Sequence, residues 1–206
     1  MTRQGPTTLV LASSSAGRLG VLRKAGIDPV VIVSGVDETT EPGLDTGTIV
    51  AQLAARKAAA VTELVEKSQP GTLVLGCDSM LDLDGTAYGK PASAEEATAL
   101  WRRMSGREGS LYTGHCLIVA GTDRRAEAVG RTLVRFGTPG EAELAAYVAS
   151  GEPAVMAGAF SLEGLGAPFI DGIDGDPTNV IGLSVPLLRL MLAELGVPIT
   201  ELWREG

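Results

Sequence analysis

Serine hydroxyls and an arginine follow the first apolar run of the chain, and together they could bind an anion. A strand-like run at 9–12 leads directly into Ser13, Ser14 and Ser15, and Arg18 lies one helical turn further on. The free backbone N–H groups at the start of a helix attract anions, and the guanidinium group is a forked donor suited to phosphate. An ordinary serine N-cap with an exposed arginine would give the same pattern, so both interpretations stay open at this point.

Acidic residues follow the next two apolar runs and could hold a divalent cation or activate water. Asp37 and Glu38 come after the second run, and Asp78 follows the continuous run Thr72–Cys77. Carboxylates are ligands of divalent cations and can act as general bases. A solvated turn is the alternative for Asp37 and Glu38. Asp78 could be a turn cap, but an acid beside a buried strand is costly unless it is used or paired, which favours a functional role.

Three more charged residues are candidates for ligand contacts. Lys57 lies in a predicted helix and Lys90 in the bend Gly89-Lys90-Pro91, and each could contact a phosphate as a compact charge. Glu163 lies in an apolar, glycine-rich segment and could accept hydrogen bonds from a nucleobase. An exposed helical lysine and a simple turn are the alternatives for the two lysines. His115, the only histidine, has no partner at triad spacing, so we expect it in the core or on a strand surface.

The elements that must position these residues alternate between strands and helices, which favours an α/β fold. Predicted strands cover 8–12, 30–33, 72–77, 110–120 and 126–136, and the last two form an antiparallel pair that indicates a mixed sheet with a second lobe. Predicted helices cover 15–25, 49–67 with Thr48 as cap, 94–104 with Ser93 and Glu96 as a capping box, a stretch from Pro139 to Val148, and 184–195. Residues 151–182 are expected to be irregular, with short strands at 160–162 and 169–170. Asp78 would then lie at the C-terminal end of its strand, where ligands of open α/β sheets gather.

Composition limits the classes of protein that fit. Hydrophobic residues make up 45% of the 206 residues, which allows a sizeable core in one domain spanning 1–206. The net charge of -8 argues against a nucleic-acid polymer as partner, although a few local cations suffice for a mononucleotide. Cys77 and Cys116 fit no zinc spacing or disulfide framework, so we expect them reduced and buried. No apolar run is long enough for a membrane span and no leader pattern is evident, so we expect a cytoplasmic protein without membrane association.

Taken together, these segments resemble the Maf family of septum-formation-inhibitor-like proteins. Each matching piece is short, but they follow the family's order over roughly residues 8–195. The pieces are Leu11-Ala12-Ser13-Ser14-Ser15 with Arg18, Asp37-Glu38, Ala54 with Lys57-Ala58, Gly76 with Asp78, Gly89-Lys90-Pro91, Ser105-Gly106-Arg107, Tyr112-Thr113-Gly114, Ala157-Gly158 and Asn179-Val180-Ile181-Gly182-Leu183.

The resemblance implies a nucleoside triphosphate pyrophosphatase, a hydrolase that releases a nucleoside monophosphate and pyrophosphate. It also implies a mixed α/β fold, with a curved sheet flanked by helices and two lobes around a central cleft, and a divalent cation, Mg²⁺ or Mn²⁺. The expected catalytic residues are Asp78, Glu38 and Lys57, with Glu38 and Asp78 as metal ligands. The expected substrate-binding residues are Ser13, Ser15, Arg18, Lys90 and Glu163.

The chain departs from the common family pattern at positions that bear on the base. Ser-Pro-Arg-Arg reads Ser15-Ala16-Gly17-Arg18 here, and Asp-Thr reads Asp78-Ser79. Glu163 stands where many members have glutamine, as in the subgroup linked to 7-methyl-guanosine triphosphate, but that subgroup has tryptophan at Gly17 and glutamine at Ser79. Guanine-type, modified and pyrimidine nucleotides therefore stay open, with Glu163 favouring guanine because a carboxylate accepts from two neighbouring donors.

Two other functional classes stay open from the residues alone. One is a non-catalytic nucleotide-binding regulator of cell division that kept the pocket. The other is a phosphatase or nucleotidyltransferase with a similar pocket. The acids Glu38 and Asp78 argue against simple binding, because binding an anion needs no acids facing phosphate. A homodimer is compatible with the sequence but is not indicated by any motif.

Overall fold

The computed structural model describes residues 8–204, and its centre is a seven-stranded mixed sheet. The strand order is β2-β1-β3-β5-β6-β7, with β4 also beside β3. The strands are β1 Leu9–Leu11, β2 Val30–Val31, β3 Leu73–Leu83, β4 Thr86–Tyr88, β5 Glu108–Val119, β6 Arg125–Phe136 and β7 Ile170–Asp174. The helices are α1 Ala16–Lys24, α2 Thr46–Val65, α3 Ala94–Met104, α4 Glu141–Ala149, α5 Pro177–Ile181 and α6 Val185–Glu194.

The sheet combines a parallel edge with an antiparallel centre. Strand β1 is parallel to both β2 and β3, whereas β3, β5, β6 and β7 pair antiparallel in sequence. The long β5 and β6 form the predicted antiparallel pair. The mixed α/β fold expected from the sequence is therefore confirmed.

The two largest apolar cores lie along the length of β3 and define two lobes. The first core packs β1, α1 and α6 against the start of β3, with Leu22, Leu75 and Leu188 fully buried. The second packs α3 and α4 against its far end, where Trp101 contacts Phe136 edge to face at 5.9 Å between ring centroids. Burial of this apolar surface is the main stabilising contribution to each lobe.

The structure corrects two of the predicted element ends near the candidate site. Strand β3 does not end at Cys77 but continues to Leu83, because β5 pairs with it without interruption, and Asp78 is therefore in mid-strand. Helix α2 begins at Thr46 rather than 49. Its cap is Asp45, whose Oδ1 accepts from the N–H of Thr48 at 3.0 Å, so Thr48 is inside the helix.

Other differences lie away from the strands at the centre of the sheet. The second predicted strand is reduced to two residues, Val30–Val31. No strand forms at 160–162, since no strand of the sheet pairs with this segment, and the ring of Phe160 packs into the second core against Phe136. The strand expected at 169–170 is the longer β7, which pairs with β6 on the side away from β5. In a capping box, Glu96 would accept from the backbone N–H of the N-cap residue Ser93. Its Oε2 instead accepts from the N–H of the preceding residue, Ala92.

Burial settles the expectations for the two cysteines and for the histidine. Cys77 and Cys116 are free and buried, as predicted. His115 is in the core, 1% exposed. Within residues 8–204, no helix is both long and apolar enough to cross a membrane.

Candidate active site

The candidate site lies where β3 has no strand partner on one side. On that side β1 pairs with Leu73–Leu75 and β4 pairs with Leu81–Leu83, so neither strand covers residues 76–80. Asp78 and Ser79 occupy this uncovered stretch, and their side chains point to opposite faces of the sheet because they are adjacent in a strand. The gap lies between the two lobes, and we call it the cleft.

Two glycines let helix α2 lie directly on the face of the sheet that carries Asp78. A Cβ atom on Gly76 would come within 2.3 Å of the carbonyl oxygen of Ala54, and one on Gly114 within 2.2 Å of that of Val50. Gly114 is the register partner of Asp78. The helix backbone is thus held close beside Asp78, and Lys57, one turn beyond Ala54, reaches its carboxylate.

Lys57 joins two carboxylates at the cleft. Its Nζ lies 2.6 Å from Oδ1 of Asp78 and 2.7 Å from Oε1 of Glu38. Lys57 and Asp78 are buried, whereas the side chain of Glu38 is 61% exposed. Burial raises the pKa of Asp78, and the nearby Lys57 charge only partly opposes this effect. One lysine facing two acids leaves the cluster with a surplus negative charge and one oxygen of each carboxylate outside the lysine's hydrogen bonds.

Ser13 has one hydrogen-bonding capacity left, and it is a donor. Its Oγ accepts from the N–H of Ser15 and from Nη1 of Arg18, each at 3.1 Å. A hydroxyl has two lone pairs and one proton, so both acceptor positions are filled. Its proton has no acceptor among residues 8–204. The hydroxyl is buried beside a cavity of about 130 Å³ that Glu38 and Lys57 also line, and its remaining O–H suits an anionic ligand.

Arg18 is held by three parts of the chain. Its Nε donates to the carbonyl of Gly182 at 2.8 Å, Nη1 donates to Ser13, and Nη2 donates to Ser79 Oγ at 3.1 Å. Because guanidinium has five N–H donors, one N–H on each terminal nitrogen remains for a ligand. Ser15 acts as the N-cap of α1, with its Oγ accepting from the N–H of Arg18. The serine-cap interpretation is therefore correct for Ser15, and it does not exclude an anion site.

Neither Lys90 nor Glu163 forms a hydrogen bond or an ion pair with these site residues. Lys90 is exposed and follows β4, and the register Leu81↔Tyr88, continued by two residues, would place it opposite Ser79 at the cleft. Glu163 is exposed and forms an ion pair with Lys24 at 2.7 Å, at the C-terminal end of α1. That end is opposite to the one that carries Ser13 and Ser15.

Two residues of the site were not expected to act there. Ser79 was treated only as a departure from the family pattern, yet it receives a hydrogen bond from Arg18. Thr113 lies beside it on β5 with its hydroxyl 3.0 Å from that of Ser79. The only signals in the sequence were that Thr113 belongs to a segment that matches the family and that Ser79 directly follows Asp78.

Hydrogen-bond donors for an anion and two carboxylates thus lie together at the cleft beside β3. The fold and this site define an α/β protein with an anion-binding cleft that contains carboxylates. The chain belongs to the Maf family, since the model of the Maf-like protein family matches residues 8–195. The resemblance inferred from the sequence is confirmed.

Curated relatives match nearly the whole chain. A nucleoside triphosphate pyrophosphatase of Streptomyces coelicolor is 57% identical over 203 residues, which is 98% of each chain. A protein of the same name from Mycobacterium sp. (strain JLS) is 53% identical over 208 residues, covering 96% of this chain and 98% of that protein. Among solved structures, a nucleoside-triphosphatase, or dITP/XTP pyrophosphatase, of Mycobacterium abscessus is 16% identical with a TM-score of 0.40, covering 92% of this chain and 94% of that one.

Proposed function

We propose that this protein is a nucleoside triphosphate pyrophosphatase that hydrolyses the bond between the α and β phosphates. The observation that carries the proposal is the contact of Lys57 with both Asp78 and Glu38, beside a serine and an arginine that have donors to spare. Relatives at 50–57% identity bear this name. The products are a nucleoside monophosphate and pyrophosphate.

The triphosphate is bound by donors from both sides of the cleft. Ser13 donates its remaining proton, and Arg18 donates the free N–H on each terminal nitrogen. Lys90 supplies a second positive group from the segment after β4. Hydrolysis of a phosphoanhydride depends mainly on positioning and charge neutralisation, and these side chains provide both.

The acids fit a divalent cation. Mg²⁺ binds proteins through one or two carboxylates and takes further oxygens from the substrate phosphates and water, so Glu38 and Asp78 suffice. Their oxygens not bound by Lys57 are hard donors suited to Mg²⁺ or Mn²⁺. Within residues 8–204 no three acidic, histidine or cysteine side chains are grouped to hold a metal by themselves, which matches a cation shared with substrate. When bound, the cation would neutralise charge that develops on the phosphates.

Asp78 also orients the attacking water and accepts its proton. Its raised pKa makes it a stronger base than an ordinary aspartate. Lys57 keeps the carboxylate ionised and fixed in the cleft at 2.6 Å. A protein that only bound nucleotide would gain nothing from a buried acid beside phosphate, which disfavours the non-catalytic regulator.

Several narrower expectations remain predictions. They are the preference for guanine-type bases through Glu163, the cytoplasmic location, a single domain over 1–206, and the absence of a nucleic-acid partner. A homodimer also stays open.

The proposal is tested by pyrophosphate release across a panel of nucleoside triphosphates with Mg²⁺ and with Mn²⁺. We expect stoichiometric pyrophosphate with at least one nucleotide and none after removal of divalent cations with a chelator. Release of orthophosphate instead would favour the phosphatase alternative.

A further inference from the structure

A line of hydrogen bonds runs from Arg18 into the interior of the protein. Nη2 of Arg18 donates to Oγ of Ser79 at 3.1 Å, and this hydroxyl lies 3.0 Å from Oγ1 of Thr113. Oγ1 of Thr113 in turn donates to the carbonyl of Asn179 in α5 at 2.9 Å. The line crosses from β3 to β5 because Ser79 and Thr113 are register partners.

The two ends of this line fix the direction of every bond in it. Arg18 can only donate and the carbonyl of Asn179 can only accept. Thr113 has one proton, which the carbonyl of Asn179 takes, so its oxygen must accept the proton of Ser79. Ser79 therefore has no proton left and presents a lone pair to Arg18. Hydrogen bonds aligned in this way polarise one another, so the Ser79 oxygen becomes a stronger acceptor for Arg18 when its proton is donated to Thr113.

Thr113 contributes to the line without reaching the cleft. Its side chain is fully buried, and its hydroxyl contacts Ser79 and Asn179 but not Arg18. An effect of Thr113 on a ligand therefore passes either through Ser79 or through α5, whose C-cap Gly182 accepts from Nε of Arg18. Without the acceptor on Thr113, the hydroxyl of Ser79 could rotate and direct its proton elsewhere, and Arg18 would lose a fixed contact.

From this geometry we infer that Thr113 is a positioning residue for substrate binding, which it serves by orienting the Ser79 hydroxyl as an acceptor for Arg18. The inference rests on the proposed function, in which the two N–H groups that Arg18 keeps free bind phosphate. A guanidinium group held in place before the substrate arrives loses less conformational entropy on binding. The predicted signature is a change in KM with little change in kcat.

The chain offers a matched control in Thr132. It is also a fully buried threonine, and its Oγ1 donates to the carbonyl of Asp176 at 2.9 Å and accepts from Nδ2 of Asn179 at 3.2 Å. Thr132 therefore anchors the α5 region as Thr113 does, but its hydroxyl forms no hydrogen bond with Ser79. Thr132→Val reports the cost of loosening α5 alone.

The experiment compares KM, kcat and melting temperature for Thr113→Val, Thr113→Ser, Thr132→Val, Ser79→Ala and Arg18→Ala, using the best triphosphate substrate. We expect Thr113→Val and Ser79→Ala each to raise KM by about three- to tenfold, the effect of one lost hydrogen bond, and Thr113→Ser to return KM to within about twofold. Thr132→Val should lower the melting temperature and leave KM unchanged. The same KM increase in Thr132→Val would overturn the inference, because it would make Thr113 a mere anchor for α5.

A double-mutant cycle tests whether Thr113 acts through Ser79. If it does, adding Thr113→Val to Ser79→Ala raises KM no further, whereas multiplied effects would contradict the inference. Should Thr113→Val not fold, Ser79→Ala and Thr113→Ser still decide: an unchanged KM in Ser79→Ala overturns it. Arg18→Ala distinguishes a failure of the proposed phosphate binding by Arg18 from a failure of the inference about Thr113. Unchanged KM in that variant would remove the proposed role of Arg18, whereas a raised KM there with normal KM in Thr113→Val would reject only the inference.

Discussion

The ammonium group of Lys57 lies 2.6 Å from Oδ1 of Asp78, and each side chain is only 9% exposed. The pair forms because Gly76 and Gly114 admit the backbone of α2 to the sheet face. Glu38 then approaches the same lysine from the solvent side. A buried acid, its counter-ion and a second acid are thus assembled at the one stretch of β3 that no strand covers on that side.

Replacing Asp78 with asparagine should separate catalysis from binding. Asp78→Asn keeps the shape of the side chain but removes the base and a proposed metal ligand, so we expect turnover to fall by on the order of 10² or more. Triphosphate should still bind through Ser13 and Arg18, which calorimetry can measure. Asp82→Asn is the control, since Asp82 lies on the same face of β3 and, within residues 8–204, its carboxylate bonds only to the Thr46 hydroxyl and the Gly85 N–H. Near wild-type turnover in Asp78→Asn would rule out its catalytic role.

The two lysines should differ in their effect on stability. Lys57→Ala leaves Asp78 buried without its cation, and breaking such a pair costs about 3 kcal/mol. Lys90→Ala removes an exposed side chain, so we expect the free energy of unfolding to change by less than about 0.5 kcal/mol. Both variants should lose activity. Denaturant unfolding beside kinetics checks this, and equal stability of the two variants would show that the Lys57–Asp78 pair is not structurally important.

Stability should fall on mild acidification because of His115. Its Nε2 accepts from the N–H of Ser184 at 2.9 Å, and burial lowers its pKa from 6.5 to about 4. Below pH 6.5 the unfolded chain takes up a proton that the folded chain refuses, so stability decreases as pH falls toward 4. The full effect is about 3 kcal/mol. His115→Gln, which keeps an acceptor, should make the free energy of unfolding depend less on pH between pH 6.5 and 5. An unchanged slope in this variant would show that other groups cause the pH dependence.

Glu163 should influence which base is preferred. Guanine offers two neighbouring donors to a carboxylate, whereas uracil and thymine place carbonyls beside their single N–H. Glu163→Gln should therefore shift preference toward UTP and dTTP by about 1–3 kcal/mol of discrimination. Lys24→Met is informative beside it, since Lys24 pairs with Glu163 in the free protein. If kcat/KM for UTP relative to GTP is the same in all three proteins, Glu163 does not read the base.

The sequence predicted the parts of the fold that depend on local pattern. Apolar runs located β3, β5 and β6, and the placement of an acid after a buried run identified Asp78. What it missed depends on contacts between distant segments. The continuation of β3 past Asp78 requires β5 as a partner. The five-residue α5 is held by Asp176, which caps it and accepts from Ser184 at 2.5 Å.

The same distinction applies to the site. Until α2 is placed on the sheet, nothing in the sequence favours a functional Lys57 over an exposed helical lysine except the family resemblance. The pairing of Ser79 with Thr113 depends on the register of two strands 34 residues apart. A residue whose role is a hydrogen bond across strands gives no signal in a single sequence, because neither its type nor its neighbours are unusual.

The most direct test of the central claim is a product balance by ³¹P NMR for the wild-type protein and Asp78→Asn with its preferred triphosphate and Mg²⁺. The account predicts one monophosphate and one pyrophosphate for each triphosphate consumed by the wild type, and almost no turnover by the variant. A diphosphate with orthophosphate, or the same rate in both proteins, would contradict it.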